Sequence, residues 1–243
     1  MVYTIEDRVQ QYWTQRAHDF GAVRKNELGS GMGRRWLREI EQSLPSERPL
    51  EILDVGTGTG FFAVLLAQAG HHVEGIDLTP SMLEEAEALC AQLELDIPFR
   101  RMDAQALDYG DSCFDVVLSR NLTWTLPDPE QAYREWFRVL RPGGGLLNFD
   151  ADYAAHVRSQ SSQNRSVAPD SPYGHVGMTD ALQRENDAIT LSLDIGEARP
   201  AWDRRVLTEI GFRYCRTDAS VGHRVLGKLD LTSAPMFGIC AVK

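Results

Sequence analysis

The stretch EILDVGTGTGFF occupies residues 51–62 and decides the fold of the chain. Its first five residues are mostly apolar and predict a buried strand, and the apolar run FFAVLLAQA that follows predicts a buried helix. Between the two, Gly56, Gly58 and Gly60 leave the backbone bare, which lets a ligand approach it and the N-terminus of the helix. The stretch therefore predicts a nucleotide-type ligand, although the glycine spacing differs from the Gly-x-Gly-x-x-Gly fingerprint of dinucleotide sites.

Strands and helices alternate from this stretch onward. Further strands are predicted by HVEGID, IPFRRMD, FDVVLSR and GLLNFD, and two closing strands by GFRYCRT and MFGICAVK. Helices are predicted by SMLEEAEALCAQL, which follows Thr79 as N-cap and Pro80, by PEQAYREWFRVL and by AWDRRVLTEIGF. Alternation of this kind indicates an α/β fold with a doubly wound, mainly parallel sheet.

The length of 243 residues fits one α/β domain with four parts. Residues 1–45 are predicted to be a helical cover, residues 50–150 a ligand-binding half, and residues 201–243 the closing helix and strands. Residues 151–200 interrupt the alternation and are interpreted as an insert on the substrate side. Its polar stretch RSQSSQNRSVAPDSPYG predicts a mobile loop, and TDALQRENDAI predicts a helix.

Two acidic residues end neighbouring predicted strands. A carboxylate at Asp77 can accept both ribose hydroxyls of a nucleoside, or cap the following helix, or do both. A carboxylate at Asp103 can accept a hydrogen bond from an exocyclic amine such as that of adenine, with Met102 and Ala104 beside the ring. The alternative for Asp103 is a plain turn at the end of the strand.

Five segments, in order, resemble the motifs of class I S-adenosylmethionine-dependent methyltransferases: LDVGTGTGFF, VEGIDLTPSML, RRMDAQAL, FDVVLSRNLTWTL and REWFRVLRPGGGLL. The nearest branch contains the ubiquinone/menaquinone-type and many small-molecule methyltransferases. The resemblance covers about residues 50–150. It implies a Rossmann-like, seven-stranded sheet whose last strand is antiparallel. It also implies an enzyme that uses S-adenosylmethionine and releases S-adenosylhomocysteine. From the break in alternation after strand five we further predict that the helical insert there, with the N-terminal helices, acts as a lid.

The resemblance further implies which residues bind the cofactor. The glycines would hold its methionine portion, Asp54 would order that loop or meet the amino group, Asp77 would take the ribose, and Asp103 the adenine. The full predicted set is Tyr12, Asp54, Gly56, Thr57, Gly58, Gly60, Asp77, Leu78, Met82, Met102, Asp103, Ala104 and Arg120. Helix packing is a rival interpretation of Tyr12.

Candidate residues on the substrate side follow strands four and five, because ligands bind at the carboxyl ends of strands in open α/β sheets. The predicted substrate residues are Trp13, Asn121, Trp124, Asp152, Tyr153, Tyr173 and Trp202. Their aromatic content favours a flat, aromatic or heteroaromatic acceptor. Asp150, His156 and His175 are the candidate catalytic residues. Core packing for Trp124, and solvated charge for Asp150 and Asp152, are the alternatives.

The chemistry of methyl transfer requires alignment and the exclusion of water, and a general base only when the nucleophile is protonated. Amine- and base-methylating members of the family often carry (Asp/Asn)-Pro-Pro-(Tyr/Phe) after strand four. The corresponding segment here is SRNLTW, which disfavours that subclass. We therefore expect N-, O- or C-methylation of a small molecule, in natural-product or quinone biosynthesis. The alternatives are an RNA or protein methyltransferase, or a non-catalytic protein that binds S-adenosylmethionine.

Composition limits the partners and the compartment. A net charge of −10 disfavours binding to nucleic acid phosphates, which relies on basic patches. The four cysteines are scattered and form no CxxC pair, so no metal site is expected and the thiols fit a cytoplasmic protein. The N-terminal MVYTIEDRVQQYW lacks the apolar segment of a signal peptide, and no apolar run predicts a membrane span.

Overall fold

The computed structural model describes residues 3–44, 49–160, 176–226 and 234–243. Most of the predicted polar loop, with Tyr173 and His175, lies outside the described residues.

Seven strands form one sheet in the order β3-β2-β1-β4-β5-β7-β6. All neighbouring pairs are parallel except those of β7, which runs antiparallel to both β5 and β6. The prediction of a seven-stranded, mainly parallel sheet with an antiparallel last strand is confirmed. The strands are β1 Glu51–Val55, β2 His72–Asp77, β3 Phe99–Arg101, β4 Phe114–Arg120, β5 Leu140–Ala151, β6 Arg213–Asp218 and β7 Met236–Val242.

The described residues form nine α-helices. They are α1 Ile5–Leu28, α2 Gly31–Glu41, α3 Phe61–Gln68, α4 Pro80–Leu93, α5 Pro129–Val139, α6 Tyr153–Gln160, α7 Asp180–Ser192, α8 Ala201–Ile210 and α9 Val221–Leu226. None of the helices in the described ranges is both long and apolar enough to cross a membrane.

Successive residues of the central strands face opposite sides of the sheet, so each side has its own core. Ile52 and Val116 pack with α2, α3, α4 and α9 on one side. Leu53 and Val117 pack with α5 and α8 on the other. This arrangement leaves the carboxyl ends of β1, β2 and β4 side by side at one edge, where the glycine-rich turn after β1 is also located.

Several boundaries differ from the sequence predictions. The predicted strand GLLNFD begins at Gly145, but β5 begins at Leu140 and includes Pro142-Gly143-Gly144. The helices α6 and α9 were not predicted, because they contain only eight and six residues and give little periodic signal. Thr79 is the N-cap of α4 but its side chain makes no capping hydrogen bond. The movement of the insert as a lid stays a prediction.

Candidate active site

A cleft at the carboxyl edge of the sheet encloses about 1060 Å³ of empty space, part of it open to solvent. Its floor is the glycine-rich turn and the ends of β2 and β4. Its roof is formed by α1. Most of the roof residues recur every three or four positions, so they share one face of that helix. From α1 the cleft is lined by Glu6, Val9, Gln10, Trp13, Phe20 and Arg24. The Gln10 side chain donates to the carbonyl of Leu78 over 3.2 Å and so holds this roof against the floor.

The turn after β1 is organised by Asp54, which is buried below it. Asp54 Oδ2 accepts hydrogen bonds from the Thr57 hydroxyl at 2.6 Å and from the Ala63 amide at 3.1 Å. These bonds fix the turn and the first turn of α3. Burial raises the pKa of Asp54 to about 7, although both hydrogen bonds act in the opposite direction.

The raised pKa of Asp54 gives the stability of the protein a pH dependence. The folded protein holds this proton up to about pH 7, whereas the unfolded chain releases it near the ordinary value of 3.8, so ionisation opposes folding as the pH rises between the two. Asp54→Asn cannot ionise. We therefore expect the free energy of unfolding of Asp54→Asn, relative to that of the wild type, to increase by on the order of 2–4 kcal/mol from pH 5 to pH 8.

Urea denaturation at both pH values measures the pH dependence of stability. Asp96→Asn makes the same chemical change at an exposed position outside the cleft and is the control. A difference between Asp54→Asn and the wild type that is the same at pH 5 and pH 8 would show that Asp54 ionises normally in the folded state.

Asp77 has both carboxylate oxygens in use. Oδ1 accepts from the Thr79 amide at 2.8 Å, and Oδ2 accepts from the Gly58 amide at 3.0 Å. These bonds tie the end of β2 to the glycine-rich turn and to Thr79, the residue that precedes α4, so both sequence interpretations of Asp77 stay open. Each carboxylate oxygen has about two acceptor positions. The Thr79 hydroxyl and the Leu78 amide also face this carboxylate, so a ribose at this point would share its oxygens with them.

Asp103 lies at the far end of the cleft, where an adenine is expected. Its Oδ1 accepts from the backbone and side-chain nitrogens of Gln105, at 2.9 and 3.1 Å. Its Oδ2 has no hydrogen-bond partner within the described residues, and Asp103 lines the cleft. The adjacent Ala104 carbonyl is fixed by the indole N–H of Trp136 at 3.1 Å. This geometry fits an exocyclic amine at Asp103 Oδ2.

A buried charged cluster forms the third part of the cleft. Glu27 of α1 accepts from Arg120 Nη2 and from the Trp36 indole, both at 2.9 Å, and is also paired with Arg24. The Arg120 guanidinium lies 4.4 Å from the centre of the Trp36 ring. Burial alone would raise the pKa of Glu27, but Arg120 and Arg24 outweigh it and hold the pKa at about 2. Because Arg24 and Arg120 both line the cleft, a carboxylate on the ligand fits beside them.

Two predicted cofactor residues lie elsewhere. Gly60 does not line the cleft. It is the N-cap residue of α3 with a φ of +80°, and a Cβ there would stand 3.1 Å from the Cβ of Ala86. Tyr12 is 4% exposed and packs edge-on to Trp13, while its hydroxyl faces Arg16 and Asp187. Burial raises the pKa of Tyr12 to about 12. Tyr12 thus joins α1 to α7, as the rival interpretation of helix packing held.

The predicted catalytic role of Asp150 is contradicted by its burial, because a catalytic group must touch the substrate. Asp150 is fully buried and its Oδ2 accepts from the Thr123 hydroxyl, the Trp124 amide and Arg199. Arg199 also binds Asp203, which accepts from the Tyr133 hydroxyl at 2.6 Å. The cluster joins the loop after β4 to β5 and α8, so Asp150 positions that loop.

The other predicted substrate-side residues are divided between two places. Trp13 and Asn121 line the main cleft. Trp124, Asp152 and Tyr153 line a smaller cavity on the far side of the loop after β4. Trp124 links the two, because its ring lies 6.4 Å from Trp13 and 4.9 Å from Tyr153, measured between centres.

Two further predictions concern residues outside both cavities. Trp202 was predicted to face the substrate, but it is buried in the core beside Tyr133, so the structure contradicts that role. His156 lies on α6, partly exposed, and lines neither cavity, so the structure does not bring this candidate catalytic residue to the cleft.

Several cleft residues were not predicted from the sequence. Thr59 is 2% exposed, lines the cleft, and its hydroxyl has no partner within the described residues. Its position inside the glycine-rich turn is the signal that could have identified it. Gln10, Phe20 and Arg24 share the helical face of Trp13, and extending that face along α1 would have found them.

The comparisons with known proteins agree with this geometry. Residues 53–148 match the methyltransferase domain family. The chain is 37% identical over 122 residues to a demethylmenaquinone methyltransferase of Deinococcus radiodurans, covering 49% of this chain and 51% of the relative. It is 36% identical over 122 residues to the protein of the same name from Thermus thermophilus, covering 49% and 56%. The matched part of the chain is thus a methyltransferase domain. The predicted family and its cofactor are thereby confirmed, and the chain spans about half the length of these relatives.

A solved structure extends the likeness of this methyltransferase fold over the whole chain. The phosphoethanolamine N-methyltransferase 2 of Haemonchus contortus, in complex with S-adenosyl-L-methionine, superposes with a TM-score of 0.69 at 17% identity. The match covers 100% of this chain and 60% of the other. At this identity the likeness is one of fold.

The residues of the cleft fit the cofactor on two local observations. The turn at Gly58 leaves a space that a side chain would fill, because the nearest atom to a Cβ there is Phe20 Cε1 at 4.0 Å. The cleft also contains polar atoms without partners within the described residues, Thr59 Oγ1 and Asp103 Oδ2. Both features are expected where a polar ligand completes the packing.

Proposed function

We propose that the chain transfers the methyl group of S-adenosylmethionine to a small aromatic or heteroaromatic molecule. The observation that carries the proposal is the cleft itself, in which a bare glycine turn and two strand-end carboxylates face an aromatic-bearing helix. The bound cofactor supplies an activated methyl group. The names of the sequence relatives, both demethylmenaquinone methyltransferases, support an aromatic acceptor.

Each part of the cofactor has a place in the cleft. Asp77 receives the ribose hydroxyls and Asp103 the amine of the adenine. Gly58 lies against the methionine chain, whose carboxylate is placed beside Arg24 and Arg120. Burial of Asp54 below the turn keeps that turn rigid when the cofactor enters and leaves. Alignment is then set before the acceptor binds, which is the main contribution that a methyltransferase makes.

The acceptor enters where α1 meets the loop after β4. Trp13 and Phe20, whose rings lie 5.5 Å apart, cover this region and exclude water from the reacting groups. Within the described residues, no histidine lines the cleft. An acceptor whose nucleophilic atom is already unprotonated fits this environment, because it needs no general base.

The proposal is tested by incubating the protein with S-adenosylmethionine labelled in the methyl group, together with metabolite, RNA or protein extracts of a bacterium. Label in a small organic product supports the proposal. Label in RNA or protein would instead support those acceptors. Tight binding of S-adenosylhomocysteine without transfer to any fraction would indicate a non-catalytic binding protein.

Asp77→Asn tests the cofactor part of the proposal. The amide keeps one acceptor oxygen for Thr79 but loses the charge and the second oxygen that bind Gly58 and the ribose. Hydrogen bonds to charged groups contribute about 1.5–3 kcal/mol, so we expect S-adenosylhomocysteine to bind about 10- to 150-fold more weakly. Calorimetry measures the affinity, with the exposed Asp96→Asn as the control. Unchanged affinity in a folded Asp77→Asn protein would remove Asp77 from the cofactor site.

A further inference from the structure

Asn121, the first residue after β4, has an uncommon backbone conformation. Its φ is +56°, which residues other than glycine adopt rarely and asparagine more readily than most. Backbone strain of this kind persists only where the surroundings enforce it, and it concentrates at functional sites. Asn121 also lines the main cleft, on the side where the acceptor is expected.

Three contacts hold Asn121 in place. Its amide donates to the Phe149 carbonyl at 2.8 Å, and its carbonyl accepts from the Trp124 indole at 3.0 Å. Its side-chain Oδ1 accepts from the Tyr153 hydroxyl, also at 3.0 Å. The Trp124 amide is in turn bound to Asp150, so the residue is tied to the buried cluster around that carboxylate.

The remaining polar atom, Asn121 Nδ2, makes no hydrogen bond within the described residues. Asn121 is partly exposed and lines the cleft, so this amide nitrogen is available to a ligand. Tyr153 takes one of the two acceptor positions on the amide oxygen, whereas both N–H donors of Asn121 stay without a partner within the described residues. Two free donors at this position fit an oxygen atom of the acceptor better than an N–H group.

We propose that Asn121 is a specificity-determining residue that selects acceptors carrying a hydroxylate or carbonyl oxygen beside the methylated atom, and that Tyr153 orients it. The inference rests on the proposed methyl transfer and names the acceptor class for it. A hydrogen bond to such an oxygen holds the ring in a fixed orientation toward the methyl group. A molecule that presents an amine at the same point faces two donors and is bound less well.

Two naphthalenes of the same shape serve as probes: 1,4-dihydroxynaphthalene, kept reduced, and 1,4-diaminonaphthalene. Binding of each to the protein saturated with S-adenosylhomocysteine is measured by calorimetry. We expect the wild type to prefer the diol. Asn121→Asp replaces the donors with acceptors, so we expect at least a tenfold weaker diol complex and a relative gain for the diamine. The affinity of each variant for S-adenosylhomocysteine is measured as well, so that both probes are compared at saturation with it.

Asn26→Asp is the matched control, since it makes the same change at an exposed position of α1. Tyr153→Phe removes only the hydroxyl that orients Asn121, and we expect its affinity for the diol to fall several-fold. The double variant with Asn121→Asp and Tyr153→Phe should lose less affinity for the diol than the sum of the two single losses, because both substitutions act on one contact. A purely structural role for Tyr153 would instead lower the melting temperature and leave the preference between the probes unchanged.

The outcomes separate this inference from the proposed function. Undetectable binding of the diol, a wild type that prefers the diamine, or an Asn121→Asp protein with unaltered preference would each overturn the inference. Methyl transfer in the extract assay with unaltered preference would leave the proposed function in place. Conversely, the protein could prefer the diol through Asn121 and yet transfer no methyl group in the extract assay. That result would refute the proposed function and leave the recognition of the diol by Asn121 in place.

Discussion

Glu27→Gln is expected to destabilise the protein by about 3–5 kcal/mol at pH 7, the range measured when one partner of a buried ion pair is removed. The Glu27 side chain is 3% exposed and those of Arg24 and Arg120 are 5% and 7% exposed, so water cannot replace the lost charge. Glutamine retains the size and one acceptor, and the loss thus reports the charge. Urea denaturation followed by circular dichroism measures it.

The effect of Glu27→Gln has a predictable pH dependence. Because Arg120 and Arg24 lower the pKa of Glu27 to about 2, its charge stabilises the folded protein fully above the ordinary value of 4.5. That contribution disappears as the pH falls from about 4.5 toward 2. The difference between wild type and Glu27→Gln should therefore shrink over this range.

A surface pair provides the control for Glu27. Glu197 and Arg205 form an ion pair whose side chains are about half exposed, and Glu197→Gln should cost less than about 1 kcal/mol. If Glu27→Gln cost no more than Glu197→Gln, the buried cluster would not join α1 to the sheet as its contacts indicate.

The sheet and the cofactor side of the cleft could be predicted because their signals are local in sequence. Each of β1, β2 and β4 is a short strand with buried apolar residues and with its functional residue at or beside its end, and the parallel order brings those ends to one edge. The positions of Asp54, Asp77 and Arg120 therefore follow from strand boundaries alone. The glycines between β1 and α3 add the bare backbone that a ligand needs.

The charged cluster around Glu27 could not be predicted in the same way. Arg24 and Glu27 stand three residues apart in α1, a spacing that is typical of a solvated helix face. Their burial depends on Arg120, which is 93 residues away from Glu27 along the chain. Sequence periodicity carries no information about such a partner.

The errors at Asp150 and Trp202 have the same physical origin. Asp150 ends a strand as Asp77 does, and the sequence does not distinguish them. The difference is Arg199, a residue of the loop before α8 that covers Asp150 and binds its carboxylate. Trp202 follows on α8 and packs inward with the same segment, so the fold of residues beyond the insert decides both roles.

Replacing Gly58 is expected to give the largest loss of cofactor affinity. Gly58 has a φ of +54°, and a Cβ there would enter the cleft. Among the described residues beyond its chain neighbours, the only atom within 4 Å of this Cβ is Phe20 Cε1, at 4.0 Å. The methionine chain of the cofactor needs this space. We expect Gly58→Ala to weaken S-adenosylhomocysteine binding at least tenfold and Gly58→Val at least a hundredfold, which corresponds to about 1.4 and 2.7 kcal/mol.

Gly70 separates this steric effect from backbone strain. Its φ is +93°, and a Cβ there would meet nothing within 4 Å, outside the cleft. Alanine at either glycine should lower the free energy of unfolding by about 1–2 kcal/mol, since both must hold a left-handed backbone. Only the replacements at position 58 should alter cofactor affinity. Equal affinities across the two series, in folded proteins, would mean that the turn at Gly58 is structural and that the cofactor binds elsewhere.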